Sequence, residues 1–164
     1  MKRLAWFVAV TAAIGGTAMA QDVAQGIALY NEGRFAEAEP VLRAAAAGTE
    51  ARAYLAATLE RLARHAEGEV EAKAALAADP VHPIAVAALG ESLVMQDKLD
   101  EAISRLTAAL GSRADLAYAY YWRGQAYQRT KQVARMVEDY QNFLKLRPDA
   151  PEAPALKVLL AGFR

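Results

Sequence analysis

The hydrophobic pattern divides the chain into helix-length runs separated by glycine, proline and short polar turns. It predicts a helix near Asp22 to Glu32, a break at Gly33, and a second helix from about Phe35 to Ala47, closed by Gly48 and Thr49. A second pair is expected at roughly Glu50 to Leu62 and His65 to Ala78. Asp79-Pro80 ends it, because proline lacks the helix amide and restricts the residue before it. The third pair begins after His82-Pro83, runs to about Met95, turns at Gln96-Asp97-Lys98 and resumes from Leu99 to Leu110. Gly111-Ser112 punctuates the chain, and a fourth pair follows at about Asp115 to Arg129 and Val133 to Leu146, closed by Arg147-Pro148. Leu156, Leu159, Leu160 and Phe163 then share one helical face, so a last short helix is expected to cover the end of the array.

Superposed on these pairs is a repeat of ~34 residues. Gly90 returns as Gly124, Leu59 as Leu93 and Tyr127, Ala75 as Ala109, and Pro80 as Pro148 after two periods. A unit of two helices cannot bury its apolar face alone, so such units must stack. The extreme N-terminus stands outside this pattern. Lys2 and Arg3 precede an apolar stretch from Leu4 to Ile14, followed by Gly15-Gly16 and Ala18-Met19-Ala20. This reads as a secretory leader over residues 1–20 with a small-residue cleavage site after Ala20. Its apolar run, interrupted by Thr11, is shorter than the ~20 residues a spanning helix needs.

Composition adds constraints rather than chemistry. The chain holds 19 basic and 19 acidic residues, and removing Lys2 and Arg3 with the leader brings the net formal charge to −2. Nothing in that balance favours nucleic acid or an anionic membrane surface, which call for a basic stripe. With no cysteine, neither a disulfide framework nor a Cys-His pair can form, and two histidines are too few for the usual metal cluster. The mature chain carries no glycine-rich phosphate loop. His65, at the start of an expected helix, and His82, in the Pro80-Val81-His82-Pro83 turn, read as packing or loop residues. Catalysis, cofactors and metals are therefore not expected.

The third unit carries the clearest family resemblance. Val86, Leu89, Gly90, Leu93, Ala102, Leu106 and Ala109 follow the W-x2-L-G-x2-Y…A-x3-F…P pattern of large and small sites, with Ala114 where the proline usually stands. In this the chain resembles tetratricopeptide repeat proteins across about residues 22 to 150. The resemblance implies an all-α solenoid of about four helix–turn–helix repeats over residues 21–150, with a C-terminal capping helix over 151–164. The first unit keeps Gly26, Leu29, Phe35, Ala38, Leu42 and Ala45, but lies four residues too close to the second, which implies a shortened second helix or a tighter turn around Gly48. In the second unit Ala56, Leu59, Ala72, Ala75 and Pro80 match, while His65 and Gly68 depart, and Gly68 predicts local looseness. In the fourth, Met136 occupies a normally small site and Arg123 a normally apolar one. With Tyr140 and Phe143, Met136 suggests a wider socket for the last helix.

Members of the family bind peptides or protein segments along a concave surface lined by the first helix of each pair. The matching inner positions here include Val23, Ile27 and Tyr30; Ala53, Ala57, Glu60 and Arg61; Ala87, Glu91, Val94 and Met95; and Gln128 beside the fourth-repeat residues below. The lysines and asparagines of a terminal-carboxylate clamp are absent. Tyr118, Tyr121, Gln125 and Arg129 recur at three- and four-residue intervals and project from one face. With Glu91, Met95 and Arg61 they form the expected partner-binding set, since tyrosine offers broad amphipathic area and arginine pairs with carboxylates. Tyr120, Trp122 and Tyr127 point elsewhere and are assigned to packing. The resulting expectation is a non-catalytic adaptor of the bacterial cell envelope, periplasmic or secreted, binding a protein or peptide. It makes no nucleic-acid contact and spans no membrane after leader removal. A homo-oligomeric structural module without a peptide groove is the alternative.

Overall fold

A computed structural model describes residues 20–163. The leader expected over residues 1–20 lies outside the described residues except for Ala20, which falls in the first described helix. Among the described residues there are nine helices and no strands. They are α1 (20–31), α2 (Phe35–Ala44), α3 (Thr49–Arg61), α4 (His65–Ala78), α5 (Pro83–Met95), α6 (Leu99–Ser112), α7 (Ala117–Arg129), α8 (Val133–Leu146) and α9 (Ala153–Ala161). The starts of α3, α5 and α7 fall at 49, 83 and 117, and those of α4, α6 and α8 at 65, 99 and 133. The sequence period is therefore the structural period. Several boundaries differ from expectation: α2 ends at Ala44 rather than Ala47, Thr49 opens α3, Gly111 and Ser112 lie inside α6 rather than after it, and α7 opens at Ala117 after the buried Leu116.

The first repeat shows where its four missing residues went. Helix α2 has 10 residues, whereas α4, α6 and α8 each have 14, so the shortening is taken from the second helix.

Within each pair the connecting turn has the same construction. The residue after the first helix's C-cap takes a left-handed backbone: Gly33 (φ 77°), Ala63 (57°), Asp97 (59°) and Lys131 (60°). Around Ala63, the Ala63 amide donates to the Glu60 carbonyl at 3.0 Å and the Arg64 amide to the Leu59 carbonyl at 2.9 Å, and the same two bonds recur in the other three turns. This is the Schellman termination, which satisfies the last carbonyls of a helix and reverses the chain. Glycine fits it without strain, and three of the four sites use another residue.

Small residues let the helices within and between pairs approach. A Cβ built on Gly26 would lie 2.6 Å from Leu42, one on Gly124 2.6 Å from Tyr140, and one on Gly90 2.9 Å from the Trp122 Cβ. The first helices of successive repeats also pack on one another, α3 on α5 and α5 on α7, while α4, α6 and α8 make no close backbone approach among themselves. An inner layer that is close and an outer layer that is splayed curve the array, with α1, α3, α5 and α7 on the concave side.

At the C-terminal end, Met136, Tyr140 and Phe143 of α8 join Tyr127 and Leu156 in one buried cluster, with Leu159 and Leu160 at its margin. The large residues of the fourth repeat thus face the last helix, as expected, although Phe163 is half exposed and Val158 is 77% exposed. Arg123, at its normally apolar site, is held by Asp139: its Nε and Nη2 donate to the carboxylate at 2.8 and 2.7 Å, and its guanidinium lies 5.7 Å from the Tyr120 ring centroid.

The left-handed turn residues give a direct test. Ala63→Gly removes the strain of a Cβ at positive φ, partly offset by the freer unfolded chain, and is expected to stabilise the fold by about 0.5–1 kcal/mol. Chemical denaturation should show the midpoint rising with an unchanged slope; a fall in the midpoint would mean that the turn is not built as described.

Candidate functional site

The concave layer holds a cavity of about 300 Å³. Each helix of the layer supplies a wall: Tyr30 from α1, Arg61 from α3, Glu91 from α5, and Tyr118, Tyr121 and Trp122 from α7. Glu152, in the turn before α9, closes one side. The chain reaches this arrangement because inward-facing positions of the first helices repeat at the period of the fold, stacking residues distant in sequence onto one surface.

The rings of the aromatic wall pack on one another. Tyr121 meets Trp122 edge-on at 4.9 Å between centroids and Tyr118 at 6.1 Å, while Phe143 backs both tyrosines at 5.3 and 5.4 Å. Such edge-to-face pairs add to simple burial. Arg147 places its guanidinium 5.6 Å from the Tyr118 ring centroid. The Tyr118 hydroxyl donates to the Glu152 carboxylate at 3.3 Å. Burial pushes the phenols of Tyr30, Tyr118 and Tyr121 up, so they remain neutral at physiological pH.

The polar wall is an ion pair. Arg61 Nη2 donates to both carboxylate oxygens of Glu91. Burial raises the Glu91 carboxyl against the opposing pull of Arg61, and Glu152 adds to the rise.

Behind this wall is a buried polar cluster that the sequence concealed. Glu60, 4% exposed, accepts from the Ser92 hydroxyl of the next repeat and pairs with His65 Nδ1 at 2.7 Å. Gly68 makes room for it, since a Cβ there would run into the Glu60 carboxylate and lie 3.3 Å from the Ala56 carbonyl oxygen. The glycine that suggested looseness is buried and closely packed. A second set sits beside it: Glu69 accepts from Lys73 at 2.6 Å, Lys98 at 2.7 Å and the Gln96 amide at 2.8 Å. Burial opposes ionisation of Glu69, but the bonds from Lys73, Lys98 and Gln96 outweigh it and bring the carboxyl down to about 2. Together these bonds tie the second repeat to the third.

Of the residues expected to bind a partner, Arg61, Glu91, Tyr118 and Tyr121 meet at the cavity. Gln125 stands one turn further along α7, its amide donating to the Tyr121 hydroxyl at 3.2 Å. Arg129 and Met95 lie apart from the cavity. Arg129 donates to the Val94 carbonyl at 2.7 Å and bridges α7 to α5, while Met95 is half exposed at the end of α5. Ala53, Glu60 and Val94, expected along the inner surface, are buried between helices instead. Trp122, assigned to packing, is buried and still borders the cavity. Glu152 was missed because it follows the last recognisable repeat; continuing the period from Tyr118 leads to it, the two being 34 residues apart.

Both histidines have structural partners. His65 holds Glu60, and His82 bonds Glu50 at 2.8 Å while its Nδ1 accepts from the Ala85 amide at the start of α5. Among the described residues no three His, Asp or Glu side chains are grouped to hold a metal, and no helix is long and apolar enough to cross a membrane.

The sequence matches no protein-family model, and no curated protein matches it. Solved structures do. A thermophilic TPR protein of Thermus thermophilus, TTC0263, aligns over 88% of this chain and 80% of its own at 21% identity, with a TM-score of 0.73. PilF of Pseudomonas aeruginosa aligns over 90% and 69% at 21% identity, TM-score 0.74. MamA of Desulfovibrio magneticus RS-1 aligns over 86% and 84% at 20% identity, TM-score 0.65. At these identities the likeness is one of fold, and the fold is that of tetratricopeptide repeats.

The Glu60 cluster carries a pH signature. Burial raises the Glu60 carboxyl above its ordinary value of 4.5, with Ser92 and His65 opposing the rise. Its contribution is thus most favourable below pH 4.5 and is lost as pH rises through the higher folded-state value. Glutamine can keep both bonds, accepting from Ser92 and donating to His65. Glu60→Gln is expected to be at least as stable as the parent at about pH 7 and to show a weaker loss of stability with rising pH above 4.5. Glu60→Ala, which strands Ser92 and His65, should cost about 1–3 kcal/mol. Denaturation across pH measures both; an unchanged pH slope in Glu60→Gln would contradict the assignment.

Proposed function

We propose that the chain is a non-catalytic scaffold of the bacterial cell envelope that holds a segment of a protein partner on its concave face. The observation that carries this reading is the convergence of residues from four inner helices and the α9 approach on one cavity, with three partly exposed tyrosines and an ion pair at its walls. Clustered tyrosines and arginine are the side chains that concentrate energy in protein interfaces. A repeat array presents them on a preformed surface, which lowers the ordering cost of binding. The leader pattern of residues 1–20 supports export, and the fold shared with other tetratricopeptide structures supports a scaffold role.

Self-assembly is the second reading, and the exposed Val158 and Phe163 at the C-terminal end favour it. The two readings place the contact on different surfaces.

Ala87 is partly exposed and lines the cavity between the α5 and α7 walls, so Ala87→Arg fills the space without removing a core side chain. In pull-downs from an envelope extract, with melting temperature as the folding check, this variant should lose a partner that the parent retains. Val158→Glu should retain it. Loss with Val158→Glu and retention with Ala87→Arg would place function on the α9 face instead.

A further inference from the structure

The cavity's charges and rings define one kind of occupant. Two carboxylates, Glu91 and Glu152, face it against one guanidinium, and Arg61 is engaged with both oxygens of Glu91. The Glu152 carboxylate has its one hydrogen bond among the described residues from Tyr118, at 3.3 Å. An anion entering here would meet both carboxylates, and an aliphatic side chain would desolvate them without return. A cation would gain from both, and also from the aromatic walls, whose ring faces attract positive charge. The chain already demonstrates that attraction: the Arg147 guanidinium sits 5.6 Å from the centroid of the Tyr118 ring. A volume of about 300 Å³ is at the small end for a ligand pocket and suits one long side chain better than a large metabolite.

From these observations we infer that the concave cavity receives a lysine or arginine side chain of the partner segment, its charge between Glu91 and Glu152 and its methylenes against Tyr30, Tyr121 and Trp122. The inference rests on the reading of the concave face as the partner surface and adds the chemistry of its anchor. Glu152 sets the charge preference, because Glu91 is shared with Arg61. Burial raises the Glu91 carboxyl, and the charge of a second cation would oppose that rise as Arg61 does.

The test uses fluorescein-labelled heptapeptide pools with a fixed central lysine, arginine, norleucine or glutamate and neutral mixed flanks of alanine, leucine, serine and asparagine. Binding to the protein is read by anisotropy at low salt. The lysine and arginine pools are expected to bind about fivefold tighter than the norleucine pool, and the glutamate pool should be weakest. Glu152→Gln should bring the lysine-to-norleucine ratio close to one without shifting the melting temperature, and Ala87→Arg should weaken every pool. Equal binding of norleucine and lysine, lost in Ala87→Arg, would overturn the cationic anchor while leaving the concave groove in place. Binding that survives Ala87→Arg, or no binding by any pool, would overturn both.

Discussion

Close approach of helix backbones is the constraint on which the rest of this structure depends. Where Gly26, Gly90 and Gly124 stand, an added Cβ would sit 2.6–2.9 Å from side chains of neighbouring helices. These contacts fix how the first helices nest against their partners and against the next repeat. Their spacing produces the dense inner layer, the curvature and, through it, the concave cavity. The second repeat obeys the same constraint by a different route. Ala56 takes the usual glycine position on α3, and the glycine appears on α4 as Gly68, opposite Glu60.

That exchange of small residues has an electrostatic consequence. Room at Gly68 admits the Glu60 carboxylate to a buried position, where Ser92 and His65 satisfy it. Glu69 with Lys73, Lys98 and Gln96, and Arg123 with Asp139, repeat the pattern of polar groups that are buried but bonded. No buried side-chain nitrogen or oxygen among the described residues lacks a hydrogen-bond partner. Polar networks of this kind contribute little net stability compared with an apolar core. Their geometric demands hold one repeat in register with the next, and register is what brings Arg61, Glu91 and Tyr121 to the same cavity.

Most of the fold was legible because a repeat states its pattern several times. The boundaries of α4, α5 and α8 follow from proline, turn and apolar spacing; of the two readings of the four-residue deficit, a shortened second helix or a tighter turn, the structure takes the first, although the apolar pattern carried α2 to Ala47. Gly68 was misread because helix propensity is a local quantity, whereas the reason for this glycine is a carboxylate from another helix. Glu60 and Val94 were placed on the inner surface by the family resemblance, yet neighbouring repeats cover them. Four members of the expected site converge because they share the inner face. Arg129 and Met95 share the helix face but lie beyond the cavity's end, a distinction that depends on rise along the helix and on the Val94 carbonyl that Arg129 reaches. Glu152 lies one period beyond Tyr118, but it follows the last recognisable repeat, so only its spacing and no repeat motif pointed to it.

On the proposed reading the concave cavity, and not the outer surface, is where this chain meets its partner. A photo-crosslinking residue at Ala87, which lines the cavity, compared in the producing cells with the same residue at the outer, exposed Arg105, separates the two surfaces. The account predicts a discrete heterologous adduct from Ala87 and none from Arg105. The same products from both positions, or only crosslinked copies of the chain itself, would contradict it.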